Sequence, residues 1–442
     1  MKLKTFKKLN LRNKKVLVRV NLDVPIKNGR ILDDSRIRAH LPTISYLVKK
    51  KTKIILISHL NDPFKNKKLN VKDQKYILKI KKQYSLRIVA EYLNKLNREL
   101  KIKFINDCLG EKVEKEIKKL KPGELILLEN LRFYLGEQKN NRNFAKKLAS
   151  LADVYINDAF AVCHRNHASV AAITDYLPSY AGLLLEIEVN NLSQVLGGPK
   201  HPFVLLVGGA KIFTKLPAIK SLVKEVDKIL VGGALANNFF KAQKLNIGQS
   251  VYEKEMLGQV KRLLKNKKII LPVDVKVKSK IKNKNLPSAE PCFRQGRKLY
   301  SENKKQKTQI KNVKTEELKK IKNFKILDIG SETIKLFSKY LKSAKMIVWN
   351  GPMGYFEEKS FQLGTGKIAE EIFKNKKVRV FIGGGDTLAA LQQSRINADT
   401  TRGLTRSKSA HVFISTGGGA MLDFLSGKTL PGIKPLLKNY TF

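Results

Sequence analysis

Val378-Arg379-Val380-Phe381-Ile382-Gly383-Gly384-Gly385-Asp386-Thr387 is a short β-branched run that breaks into three glycines and an acid. A run of this length bounded by glycine reads as a buried strand, and the glycines turn the chain into a following helix. At such a joint backbone N–H groups can approach phosphate closely, and the helix N-terminus adds positive potential. A tight turn or a close strand–helix contact would use the same glycines. The pattern recurs through the second half of the chain. Strands predicted at Phe203–Val207, Lys228–Val231, Met346–Trp349 and His411–Ile414 run into Gly208-Gly209-Ala210-Lys211, Gly232-Gly233-Ala234, Gly351-Pro352-Met353-Gly354 and Thr416-Gly417-Gly418-Gly419; a further strand is predicted at Lys268–Leu271. Five clusters on one predicted sheet edge point to nucleotide binding. Neither GxxxxGK[ST] nor GxGxxG spacing is present, which excludes a P-loop enzyme and an ordinary dinucleotide fold.

The first half punctuates its strands differently. Strands predicted at Lys15–Val20, Lys53–Ser58, Ile102–Asn106, Leu125–Leu128 and Asp153–Ile156 end in polar groups: Arg19 with Asn21 and Asp23, Ser58-His59, Glu129-Asn130 before Arg132, and Asn157-Asp158 before His164, Arg165 and His167. Strands alternating with helices such as Asn143–Leu151 and Ala218–Val226 indicate parallel α/β units, whose strand ends share one ligand-binding edge. The sequence therefore predicts an α/β protein of two Rossmann-like, three-layer parallel-sheet domains joined by a hinge. The boundaries expected are residues 1–185 for the first domain and 186–425 for the second. Residues 276–322 read as a Lys/Asn-rich basic surface insertion.

Composition bounds the remaining classes. The chain has 442 residues, enough for two or three domains, and 42% hydrophobic residues, too many for a disordered chain. Its formal net charge of +51 favours anionic ligands. No basic run is interleaved with aromatics, so the lysines read as a solvated coat, leaving nucleic acid only non-specific electrostatic binding. Cys108, Cys163 and Cys292 show no metal or disulfide spacing, which suits a reducing cytoplasm. The apolar stretch after the basic N-terminus is interrupted by Arg19, Asn21 and Asp23, so no signal peptide is predicted. No apolar run is long enough to predict a membrane span.

In the first half Arg36, Arg132 and Arg165, with His59, His164 and His167, form a cationic set at strand ends, suited to carboxylate and phosphate. The histidines lack a metal-binding pattern such as HExxH. In the second half Asp386 suits a magnesium ligand and a helix N-cap alike. Lys211 and Lys215 flank the first glycine cluster, at the entry to a helix beginning near Pro217.

At these residues the chain resembles the phosphoglycerate kinase family from about Leu11 to the C-terminus. The matching stretches include Val16–Pro25, Asp33–Arg38, Ser58-His59-Leu60, Leu127–Phe133, Asp153–Phe160, Gly208–Lys211, Val348–Gly354, Gly383–Thr387 and Ser415–Ala420. The resemblance implies phosphoryl transfer from 1,3-bisphosphoglycerate to ADP, giving 3-phosphoglycerate and ATP, with Mg²⁺, in a cytoplasmic monomer whose hinge closes on both substrates and whose tail, residues 426–442, returns to the first domain. It implies that Asn21, Asp23, Arg36, His59, Arg132 and Arg165 bind the glycerate. It implies that Gly209, Lys211, Lys215, Gly233, Asn350, Glu357, Gly383, Gly384, Gly385, Asp386 and Thr387 bind the nucleotide. Arg36, Lys211, Gly384 and Gly385 would act on the transferring group, and Asp386 would hold the metal.

The departures cluster on the glycerate side. The family's Asp-Phe-Asn appears as Asn21-Leu22-Asp23, and Asp62 stands where the family has arginine, with Lys65, Lys67 or Lys68 as compensating charges. Ala161-Val162, Thr214 and Ala234 are further differences. The competing expectation is a divergent or weakly active nucleotide-binding homologue with an altered acceptor or an interaction role.

Overall fold

A computed structural model of the chain describes residues 1–64, 74–97, 99–280, 308–394 and 411–438. It divides into two compact units, Met1–Gly198 with Ser415–Phe442, and Pro199–Ile414.

The first unit is built on six parallel strands in the spatial order Lys103–Ile105, Leu125–Leu128, Lys53–Ile57, Lys15–Arg19, Val154–Asn157 and Ser179–Ala181. Alternate side chains enter different cores. Val16, Val18, Ile54, Leu56, Leu125 and Leu127 face one, while Leu17, Ile55, Ile57, Ile126 and Leu128 face the other. A sheet covered on both faces needs near-continuous apolar strands, which is why these runs are legible. Ser179–Ala181 is not: three residues carry too little pattern.

Helix Ser35–Lys49 covers one face and is tied down by a buried carboxylate. Asp158 pairs with His40 Nδ1 at 2.7 Å and accepts from Thr43 Oγ1 at 2.9 Å and from the Leu184 N–H at 2.9 Å. The Asn21 N–H donates to His40 Nε2 at 2.9 Å, so this hub also sets the chain path at the strand end.

The second unit repeats the architecture. Its parallel strands run Ile269–Ile270, Lys228–Val231, Phe203–Val207, Met346–Asn350, Arg379–Gly383 and Val412–Ile414. Beside it lies an antiparallel sheet ordered Thr308–Lys314, Asp274–Lys280 and Phe324–Ile329. Residues 276–280 and 308–314 of the block read as a surface insertion are thus strands of this sheet, the second of them exposed except at Val313. Val275, Val277 and Val313 are buried while neighbouring lysines alternate with them, a strand pattern masked by lysine density. The remainder of that block, 281–307, lies outside the described residues.

The contact units divide the chain at Gly198 and Ser415, whereas the sequence places divisions at 185 and 425. Helix Leu183–Leu196 belongs wholly to the first unit. The returning chain is fastened to it there. Thr416 donates to Glu188 Oε1 from its N–H at 2.6 Å and from its hydroxyl at 2.7 Å. Gly417 packs on Phe160, and Asn157 Nδ2 donates to the Gly432 carbonyl at 3.0 Å. The Thr416–Gly419 cluster therefore belongs to the first unit, although the strand before it belongs to the second. Sequence adjacency to the strand Val412–Ile414 concealed the crossing.

Burial pushes the Glu188 carboxyl up to about 7 against the pull of those donors. A carboxyl raised above its unfolded value contributes stability that is full below its ordinary range near 4.5 and lost as pH rises through about 7. Glu188→Gln keeps an acceptor for Thr416 and removes the titration. Its denaturant midpoint is expected to match wild type near pH 5 and exceed it near pH 8. Equal pH dependence in the two proteins would refute this. Among the described residues no helix is long and apolar enough to cross a membrane.

Candidate active site

Ligands of open parallel sheets bind where adjacent strands send the chain to opposite sides. In the first unit that place lies between Lys15–Arg19 and Val154–Asn157, and in the second between Phe203–Val207 and Met346–Asn350. The expected site residues fall at these two edges.

At the first edge, the Leu22 N–H donates to Ser58 Oγ at 2.9 Å, which joins the segment 21–23 to the loop beginning at His59. Asp23 accepts from the Asn61 N–H at 2.7 Å, and its other oxygen is 3.8 Å from both Arg36 Nη1 and His59 Nε2. Arg36 Nη1 also donates to the Asp23 carbonyl. Asn21 Oδ1 accepts weakly from the Asp23 N–H at 3.4 Å. Arg132 is held by one arm, Nη1 donating to the Asn61 carbonyl at 2.6 Å. Its Nε and Nη2 are buried with no partner. Arg165 is exposed.

A buried guanidinium with two unused donors is a socket for an anion. Burial, then the Arg165 and Arg19 charges, pull the Arg132 group down to about 10, opposed by Asp62 and Asp23. Asp62 accepts from Gln138 Nε2 at 3.0 Å, so its carboxylate is fixed by a neutral partner while supporting Arg132. Lys65, Lys67 and Lys68 lie outside the described residues.

The histidines are a correction to the cationic set. Burial, followed by neighbouring arginines, holds His59 well below its ordinary value, lowers His164 and brings His167 down to about 3. The positive charge is therefore arginine's, and the histidines are neutral donors or acceptors. Arg19, Ser169 and Glu137 form a buried group behind His59. A charged residue at the end of an apolar strand was their one sequence signal.

At the second edge the glycines bring loops together. The Gly208 N–H donates to the Asn350 carbonyl at 3.0 Å, Gly209 to Pro352 at 2.7 Å and Gly233 to Met353 at 2.9 Å. The N–H groups of Gly209 and Gly233 are thus already engaged, which corrects their reading as phosphate donors. At Gly233 φ is +60°, and a Cβ would lie 2.6 Å from the Gly209 nitrogen and 2.7 Å from the Pro352 oxygen. Gly233→Ala is expected to cost about 2–4 kcal/mol, because backbone on both sides must move. It is also expected to raise the KM for nucleotide. Urea unfolding within about 0.5 kcal/mol of wild type would refute the clash.

Free donors are found elsewhere. Helix Gly385–Gln393 starts immediately after Gly384, whose φ is +104°. First-turn N–H groups have no acceptor within a helix, leaving those of Gly385, Asp386 and Thr387 directed outward. The joint is braced from behind. Asn350 Nδ2 and Thr387 Oγ1 each donate to the Gly383 carbonyl at 2.9 Å, and the Gly351 N–H donates to Thr387 Oγ1 at 2.8 Å. Lys215 is buried. Desolvation lowers its ammonium, Asp386 and Glu253 oppose this, and Lys211 adds repulsion. Lys211 and Glu357 are exposed. Among the described residues no three acidic, histidine or cysteine groups gather as a metal cage. One carboxylate beside a phosphate cradle still fits Mg²⁺, which takes most of its ligands from phosphate and water. Asp386 is that carboxylate.

A family profile described as phosphoglycerate kinase matches residues 6–428. A phosphoglycerate kinase of Dictyoglomus turgidum is 42% identical over 432 residues, covering 97% of this chain and 96% of that protein. One from Wolbachia sp. subsp. Drosophila simulans is 40% identical over 446 residues, covering 99% of each. Among solved structures, phosphoglycerate kinase from Coxiella burnetii aligns with TM-score 0.74 at 34% identity, covering 98% of this chain and 99% of that one. The enzyme from Pyrococcus horikoshii OT3 aligns with TM-score 0.77 at 27% identity, covering 98% of each chain.

Proposed function

The chain belongs to the phosphoglycerate kinase family, and from that premise we propose that it transfers a phosphoryl group reversibly between 1,3-bisphosphoglycerate and ADP, as a cytoplasmic monomer. The acyl-phosphate P–O bond breaks and a β-phosphate oxygen of ADP takes the phosphoryl group, leaving a carboxylate and ATP. Near-full-length kinase relatives do not favour the reading as a weakly active interaction protein.

The observation that carries the substrate assignment is the half-used guanidinium of Arg132. Its two free donors take the phosphate of the glycerate, with Arg165 adding charge from the rim. Asp23 and Asn21 receive the hydroxyl, and His59 donates to an anionic oxygen. The cradle of Gly383–Thr387 takes the nucleotide phosphates, with Asn350 bracing it and Lys215 beneath. Gly209 and Gly233 shape the nucleotide floor through their backbone geometry, and Glu357 takes the ribose hydroxyls. Arg36, Lys211 and the N–H groups of Gly384 and Gly385 act on the transferring phosphoryl. Such transfer depends on positioning and charge stabilisation more than on covalent chemistry. Mg²⁺, held by Asp386 and the phosphates, supplies charge neutralisation.

The test is a coupled assay with 3-phosphoglycerate, ATP and Mg²⁺, run beside Arg36→Ala and Lys211→Ala. Turnover that falls by about 10²-fold or more in both is the expected result, the scale of losing one preorganised charge donor. Undiminished turnover in either removes that residue from the transfer step.

A further inference from the structure

Arg19 ends the strand Lys15–Arg19 with its side chain fully buried, and no step above uses it. Nε donates to Ser169 Oγ at 2.9 Å, Nη1 to the Val20 carbonyl, and Nη2 lies 3.0 Å from His59 Nδ1. Ser169 is anchored in turn. Its hydroxyl donates to Glu137 Oε1 at 2.6 Å and its N–H to Oε2 at 2.9 Å. The guanidinium is therefore held rigidly behind the imidazole.

A guanidinium offers donors and no acceptor. The ring nitrogen facing it must then carry the lone pair, and the proton of a neutral ring sits on the other nitrogen. That nitrogen, Nε2, is the one 3.8 Å from Asp23 Oδ2, on the pocket side.

We infer that Arg19 is a positioning residue that fixes His59 as the neutral Nε2–H tautomer, so that the ring presents an N–H, and not a lone pair, to an anionic oxygen of the acceptor acid. The identity of that acid rests on the proposed function, whereas the tautomer is a property of the free protein. The groups facing the ring agree with neutrality. Burial, then the Arg19, Arg132 and Arg165 charges, disfavour a second proton, against the Asp23 carboxylate 3.8 Å away. The arrangement delivers a hydrogen bond without adding another buried cation to the arginines.

The first experiment is long-range proton–nitrogen correlation of the free protein labelled with ¹⁵N-histidine, with the His59 signals assigned by their loss in His59→Gln. Expected are an unprotonated Nδ1, a protonated Nε2 and no titration between about pH 8 and pH 5.5, the window in which an ordinary histidine titrates. An Nδ1–H tautomer, or titration in that window, overturns the inference. In Arg19→Met the ring loses both its lock and a repelling charge. Burial and the other arginines still keep the ring neutral, so His59 is expected to populate the Nδ1–H tautomer, with ¹⁵N shifts between those of the two forms, and the KM for 3-phosphoglycerate to rise while the KM for ATP does not. A ring that stays locked in this variant overturns the role of Arg19. Should Arg19→Met not fold, the wild-type spectrum and Arg19→Lys, which retains a donor and is expected to retain the tautomer, decide it. His59→Gln places an amide N–H where Nε2–H stands, while His59→Asn mimics Nδ1. The glutamine variant is expected to bind the acceptor at least about 10-fold better, the worth of one hydrogen bond. Were the tautomer found but 3-phosphoglycerate affinity unchanged in both, the substrate assignment would fail and the lock would stand.

Discussion

Arg132→Met raises the KM for 3-phosphoglycerate by about 10²–10⁴-fold and leaves the KM for ATP unchanged; this is the largest effect expected on the glycerate side. Two guanidinium donors are buried without partners, and each charge-assisted bond they would make to phosphate is worth about 1.5–3 kcal/mol. The free protein bears the cost of keeping them ready. Desolvation dominates the forces on this group, and Asp62 and Asp23 only partly offset it. Methionine fills a similar path without a charge to desolvate, so the thermal midpoint is expected to hold or rise. A lower midpoint together with an unchanged KM would show that Arg132 is a structural strut and that the anion sits elsewhere. The paired readout separates binding from folding, which an activity assay alone does not.

The second large effect is expected at the other edge. Asp386→Asn should lower kcat by about 10²–10³-fold and raise the Mg²⁺ concentration needed for half-maximal rate, since the charge stabilisation it supports is worth several kcal/mol. The fold should barely respond. Asp386 sits in the first turn of helix Gly385–Gln393, where a carboxylate interacting with the helix dipole contributes only about 0.3–1 kcal/mol. Lys215 would lose the leading charge that opposes its desolvation, adding a modest fall in nucleotide affinity. An Asp386→Asn enzyme with normal Mg²⁺ dependence would reduce this residue to a helix cap.

The parallel sheets were legible because burial on both faces demands long apolar strands, and Val16–Val18 or Leu125–Leu128 leave little alternative. The antiparallel sheet was not, because Val275, Val277 and Val313 supply its inner face while lysines dominate its count. Residue type picked out groups that the fold brings to the ends of two parallel sheets, yet it misjudged what some of them do there. Glycine density suggested phosphate donors at Gly209 and Gly233, whereas close loop approach consumes their N–H groups. Histidine beside arginine suggested a cationic set, whereas burial and the arginines themselves keep the rings neutral. Protonation is decided by three-dimensional surroundings that no linear spacing encodes. Thr416–Gly419 shows the same limit for connectivity, since its contacts with Glu188 and Phe160, and not its place in the sequence, reveal which unit it joins.

Under the proposed function, each of two separately built edges serves one substrate of a single reaction. The most direct test is a full kinetic matrix for wild type, Arg132→Met and Asp386→Asn, varying 3-phosphoglycerate, ATP and Mg²⁺ independently. Wild-type turnover, with Arg132→Met moving the glycerate KM alone and Asp386→Asn lowering kcat and moving the Mg–nucleotide parameters while leaving the glycerate KM unchanged, is the expected result. A wild type without turnover, or both variants shifting the same constant, would contradict the assignment.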